Sequence, residues 1–197
     1  MIKENFVKNI FNIIFKSIGA TVMIGIGCLI YINQPNPIGA FFFSIGLLGV
    51  FYFNLNLFTG KIGYVRTKTD IINIILIFTI NILSALLFLI VPQIDFDFAA
   101  KLANPWYLTL FKGFICGILI YLCVDQYRGG RPWVTLIGVP AFILSGSEHC
   151  IADMIYLVLT RSFTFEAFSF VILVAIGNSL GSLSFSWLQQ INKKEKK

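Results

Sequence analysis

Long apolar runs with almost no charge constrain this chain more than any other feature. Six can be counted, at about 17–32, 38–65, 70–91, 108–124, 134–159 and 165–188. Each is near the ~20 residues that cross ~30 Å of hydrocarbon as a helix. Lipid offers no water to backbone N–H and C=O groups, so such runs must satisfy themselves as helices. Composition agrees. Hydrophobic residues make up 57% of the chain and charged residues 12%, about half the roughly one quarter that a soluble domain carries, and mean hydropathy is +0.85. The expected class is an all-α membrane protein with six transmembrane helices.

The basic residues orient it. The N-terminal stretch, the loops after the second and fourth runs, and the C-terminal tail hold all of the 15 Lys and Arg except Lys101, Lys112 and Arg161. Under the positive-inside rule this asymmetry puts both termini in the cytoplasm of a multi-pass protein of the cell inner (plasma) membrane. These charges lie beside the apolar runs and form no basic face, so the net charge of +6 does not point to nucleic acid. No cleavable signal peptide is expected, because the first run ends in the turn Asn33-Gln34-Pro35-Asn36-Pro37 and not in a small-residue cleavage site. The four cysteines fall inside apolar runs and read as small buried hydrophobes.

Two runs are interrupted. The second contains Asn54, Asn56 and Gly60, and the fifth contains Ser145-Gly146-Ser147-Glu148-His149. The third and sixth each carry Asn-x-x-small, as Asn81 with Ser84 and Asn178 with Gly181. Three spans plus three place the two halves in opposite orientations. Paired broken helices in matching positions point to a central transport site. The expected organisation is one transmembrane channel domain, 1–197, built of two inverted three-helix repeats at about 11–91 and 106–190.

His149 is the chain's single histidine, with Glu148 before it and Asp153 four residues on. An ionisable group at mid-span costs about 2.5–3.5 kcal/mol or more, so three within six residues mark a functional position. A helix over 149–154 would put His149 and Asp153 on one face and turn Glu148 about 100° away. The two carboxylates could equally hydrogen-bond neighbouring helices. A lone His without a second ligand at metal spacing gives no metal site, and no cofactor is implied.

These residues resemble a family. Gly146-Ser147-Glu148-His149-Cys150-Ile151-Ala152-Asp153-Met154 resembles the fifth-helix signature Gly-x-Glu-His-x-x-Ala-Asn-Met of the formate/nitrite transporter family. Asn56-Leu57-Phe58-Thr59-Gly60 is similar to its second-helix break, Gly177-Asn178-Ser179-Leu180-Gly181 to its sixth-helix Gly-Asn-x-x-Gly, and Lys112-Gly113 followed by Cys116 and Cys123 to the start of its fourth helix. The resemblance implies an aquaporin-like inverted repeat with helices two and five broken. It also implies a homopentamer with one pore per subunit, and small monovalent anions as substrates: formate, nitrite or hydrosulfide. By position it implies His149, Thr59 and Asn178 at the central pore, Leu57, Phe58 and Phe142 as constrictions, and Lys112 drawing anions into the outer vestibule. Three positions depart from the family pattern: Gly117 and Asp153 stand where it has Asn, and Asn56 where it has an acidic residue.

A bare anion in an apolar constriction meets a Born penalty of order tens of kcal/mol in the idealised limit, which a neutral weak acid avoids. The expected mechanism is therefore proton-coupled. The anion is attracted by Lys112, protonated near the centre, and passes as the acid. The proton comes either from His149, whose ordinary pKa lies near neutrality, or from water while His149 orients the substrate. The alternatives are an aquaporin-like channel for a small neutral solute and a non-conducting membrane scaffold. An intramembrane enzyme on Ser147, Glu148 and His149 is disfavoured, since consecutive residues do not converge on one atom and no second catalytic segment is visible.

Overall fold

The computed structural model describes residues 2–195, with side chains from 8 to 191. Lys196 and Lys197, counted above among the inner basic residues, lie outside the described residues. The chain forms α1 (Ile2–Asn33), α2 (Pro37–Tyr52), α3 (Phe58–Ile62), α4 (Lys68–Ser84) with a 3-10 continuation (Ala85–Ile90), α5 (Ala99–Leu102), α6 (Trp106–Arg128), α7 (Trp133–Leu144), α8 (Cys150–Leu159) and α9 (Phe165–Glu195). The segments Lys8–Asn33, Lys68–Ile90, Trp106–Arg128 and Phe165–Ile191 are long and apolar enough to cross a membrane. Between them lie the two interrupted segments, α2 with α3 and α7 with α8.

Local chemistry explains the starts and stops. Asn36 accepts the N–H groups of Ile38 and Gly39, and Pro37 opens α2, where its missing N–H costs nothing. Thr67 and Asp70 cap each other at the start of α4. Small residues let the long helices touch backbone to backbone. A Cβ on Gly117 would run into the carbonyl of Asn178, one on Gly181 into that of Phe114, and one on Gly177 into that of Leu110. Lipid tails give helices no hydrophobic reason to associate, so such close packing carries the association. α6 and α9 form the most extensive helix pair of the fold through these contacts.

The two interruptions are built alike, bond by bond. After α2, Asn54 takes a left-handed conformation (φ 49°); after α7, Gly146 does (φ 67°). In the first, the N–H of Leu55 reaches the carbonyl of Val50 at 2.9 Å and that of Asn54 reaches Phe51 at 3.1 Å. In the second, Ser147 reaches Phe142 at 3.0 Å and Gly146 reaches Ile143 at 3.0 Å. Both are Schellman ends, which need a residue that tolerates positive φ, Gly first and Asn next. The chain then runs extended until the next helix starts, at Phe58 and at Cys150.

One asparagine pins each interruption. Asn81 of α4 accepts the N–H of Phe58 at 2.9 Å and donates to the carbonyls of Ser17 (2.9 Å) and Asn56 (3.1 Å). Asn178 of α9 accepts the N–H of Cys150 at 3.0 Å and donates to the carbonyls of Gly113 (2.8 Å) and Glu148 (2.9 Å). The extended residues also bond to the first helix of each half, Asn56 N–H to Lys16 and Glu148 N–H to Lys112. Orphan backbone groups at two helix ends within the bilayer are thus paired inside the protein.

Candidate functional site

The pinned segments bring Thr59 and His149 together. Thr59 lies in the first turn of α3, and His149 is the N-cap of α8, in an extended conformation. The His149 ring lies between two partners. Nδ1 accepts the N–H of Ala152 at 3.2 Å, and Nε2 lies 2.8 Å from Thr59 Oγ1. Because Nδ1 accepts, the neutral ring carries its proton on Nε2, which donates to the threonine oxygen. The threonine's own O–H is left free to donate elsewhere. Both residues are buried.

Two cavities flank this contact. One, of about 350 Å³, is lined by Asn54, Leu57, Gly60, Lys61, Tyr127 and Arg128 among others. The other, of about 190 Å³, is lined by His149, Phe142, Phe43, Lys101, Glu148 and Asp153 among others. Leu57 borders the first. Phe142 borders the second, where its ring lies 6.0 Å from that of His149 and edge-on to Phe43 at 5.9 Å. An apolar side chain therefore stands on each side of the Thr59–His149 pair.

Other expected positions fall differently. α8 begins at Cys150, so His149 precedes the helix and does not share a helical face with Asp153. Instead Glu148 and Asp153 meet at Lys101. The ammonium of Lys101, carried in by the short helix α5, bonds to Glu148 and, at 2.9 Å, to Asp153 Oδ1, while Asp153 Oδ2 has no hydrogen-bond partner among the described residues. Burial works against the charge of Lys101, but the two carboxylates outweigh it and hold the group above the ordinary lysine range. Lys112 lies outside both cavities, and its ammonium donates to Asn104 at 3.3 Å. Phe58 turns away from Leu57 onto Phe78 of α4, ring centres 4.6 Å apart. Asn178 spends both ends of its amide on main-chain groups and lines neither cavity.

Lys101 is a site residue that the sequence does not single out, since it stands among the loop charges. A signal was present. Two carboxylates in an apolar span demand a cation, and only Lys101, Lys112 and Arg161 lay on that side. Phe43 is not singled out either; nothing in its run of three phenylalanines distinguishes it.

A family model for formate/nitrite transporters matches residues 2–191 of the chain. Among solved structures, the fold is similar to that of a pentameric formate channel with formate bound, with a TM-score of 0.81 at 19% identity over 94% of this chain and 98% of that one. It is similar also to an FNT family ion channel, with a TM-score of 0.83 at 19% identity over 95% of this chain and 92% of that one. No curated protein matches the chain.

Proposed function

The chain belongs to the formate/nitrite transporter family, and from that premise we propose that it conducts small monovalent weak-acid anions, namely formate, nitrite or hydrosulfide, with proton coupling. The observation that carries this reading is the 2.8 Å contact of His149 with Thr59, set between two cavities with an apolar side chain on either side. The pore runs from the cavity of Lys61, past Leu57, through the Thr59–His149 pair, past Phe142 and Phe43, to the cavity of Lys101. Six crossings form it, with α2–α3 and α7–α8 each completing one, as two inverted repeats (11–91 and 106–190) of a single channel domain. The equivalent bonds of Asn81 and Asn178 support that division. The Lys61 mouth and both termini face the cytoplasm, and the assembly is a homopentamer in the plasma membrane. The solved relative described as a pentameric formate channel with formate bound supports both the assembly and the substrate class.

The geometry favours one of the two proton routes. A proton on His149 Nδ1 would face the N–H of Ala152, which now donates there, so the ring works as a neutral donor through Nε2. Thr59, its oxygen occupied, directs its hydroxyl proton at the substrate. The anion, held there, takes up a proton that arrives from bulk solution as hydronium, leaving a water molecule behind, and crosses Leu57 or Phe142 as the neutral acid, which escapes most of the desolvation penalty. At the outer mouth Lys101 stands beside the path and offsets the charge of Glu148 and Asp153, while Lys112, the expected attractor, lies outside the cavity. Asn178 and Asn81 shape the pore by fixing the backbone.

Flux into liposomes tests the reading. Purified protein is expected to pass formate, nitrite or hydrosulfide in a saturable, pH-dependent way, to exclude urea, and to lose anion flux in His149→Phe. Passage of urea alone, or of nothing, would defeat it.

A further inference from the structure

The two mouths of this channel differ in charge although their backbones match. Counting from equivalent helix starts, Phe58 of α3 and Cys150 of α8, the fourth residue is Lys61 in one half and Asp153 in the other. Asp153 is answered by Lys101. Among the described residues Lys61 has no ion-pair partner, and the cations beside it are Arg128, which lines the same cavity, and Lys16. Arg128 is itself held in place by an aromatic face, its Cζ lying 3.8 Å from the ring centre of Tyr64. Asp70 lines a neighbouring cavity together with Lys61, but one of its oxygens, like one of Asp125, is already hydrogen-bonded. Asp125 accepts from Gln189 at 2.7 Å, and Asp70 accepts the main-chain N–H groups of Arg66 and Thr67.

Lys61 and Arg128 both line the cavity of about 350 Å³ that Leu57 also borders, and among the described residues no carboxylate lines it. Asn54, Tyr127 and main-chain groups of the break supply further polar edges. Two like charges held together in a partly enclosed space repel, and an anion between them removes that cost. A three-atom monovalent anion would neutralise one charge and occupy a small part of the space. A tetrahedral dianion answers both charges at once, and Arg presents a fork suited to two of its oxygens.

We propose that this cavity is a binding site for a phosphate-class dianion, which bridges Lys61 and Arg128 above Leu57 and closes the pore from that mouth. The seat stands on the charge and shape of the cavity; its effect on flux rests on the conducting role proposed above.

Calorimetric titration of inorganic phosphate into the purified full-length protein, with chloride at matched ionic strength as reference, tests the seat. Saturable binding is expected, about tenfold weaker in Lys61→Gln and in Arg128→Gln and retained in Lys61→Arg, which keeps the charge should the neutral variant fold poorly. In oriented proteoliposomes, phosphate on the Lys61 side should slow formate flux and phosphate on the Lys101 side should not. Repeating the titration in nanodiscs with and without anionic lipid separates soluble phosphate from a lipid headgroup; displacement by anionic lipid would assign the same seat to a headgroup. A protein that conducts formate yet shows no saturable phosphate binding, or binding indifferent to both neutral substitutions, overturns the site. Binding to a protein that conducts no anion keeps the site and defeats the channel.

Discussion

Lys101 brings one positive charge to two carboxylates, so with both ionised the cavity of Lys101 carries a net negative charge beside the path of an anion. Asp153 supplies the surplus, at a position where the family pattern has Asn. Asp153→Asn is therefore expected to raise anion flux from that side by about fivefold at low ionic strength, and less as salt screens the field. Equal flux at all salt concentrations would show that the pore does not sense Asp153. Lys101→Gln has a different outcome. It leaves Glu148 and Asp153 buried without a cation and should cost about 3–5 kcal/mol, read as a loss of thermal stability in detergent. The double variant with Asp153→Asn should recover part of that loss. Thr59→Val removes the hydroxyl that His149 orients and should cut formate flux by about tenfold or more, while Thr59→Ser keeps it.

The interruptions are where the elements earn their function, and each hangs on one amide. Asn178→Ala would strand the N–H of Cys150 and the carbonyls of Gly113 and Glu148. At about 1 kcal/mol per bond, a loss of roughly 2–4 kcal/mol is expected, together with loss of flux; Asn81→Ala should behave alike. Gly117→Ala should destabilise by about 1–3 kcal/mol by forcing α6 from α9, measured as a fall in melting temperature. The four long spans were legible in the sequence because lipid makes hydrophobicity and length nearly sufficient. The breaks were legible because Asn54 and Gly146 tolerate positive φ and polar residues cluster beside them. Less legible was which side chain faces the pore. His149 reads as a helical residue until the N–H of Ala152 is seen to need a cap, and Asn178 reads as pore lining until the backbone it serves is seen. Lys101 was hidden because a loop residue's destination depends on how α5 folds back, which no periodicity encodes.

At the scale of the whole molecule, apolar side chains turn outward along α4 and α9, among them Ile72, Ile75, Ile172 and Ile176. A shallow apolar groove between them is lined by Phe58, Phe78, Ile172 and Leu180. Lipid or a neighbouring subunit must cover this surface. Under the homopentamer reading, native mass spectrometry in mild detergent should return five chains per particle, and a monomer or dimer would contradict it. The half-helix α8, by contrast, is buried along all of Cys150–Leu159. The helix that carries the central histidine therefore meets no acyl chain. A bilayer thinner or thicker than the protein's apolar belt strains the long outer helices, which tilt or draw lipid to fit. Under the proposed pore, the contact of His149 with Thr59 is insulated from that adjustment. Membranes of different thickness would then change how many assemblies are intact, while each intact one keeps the same order of preference among its substrates.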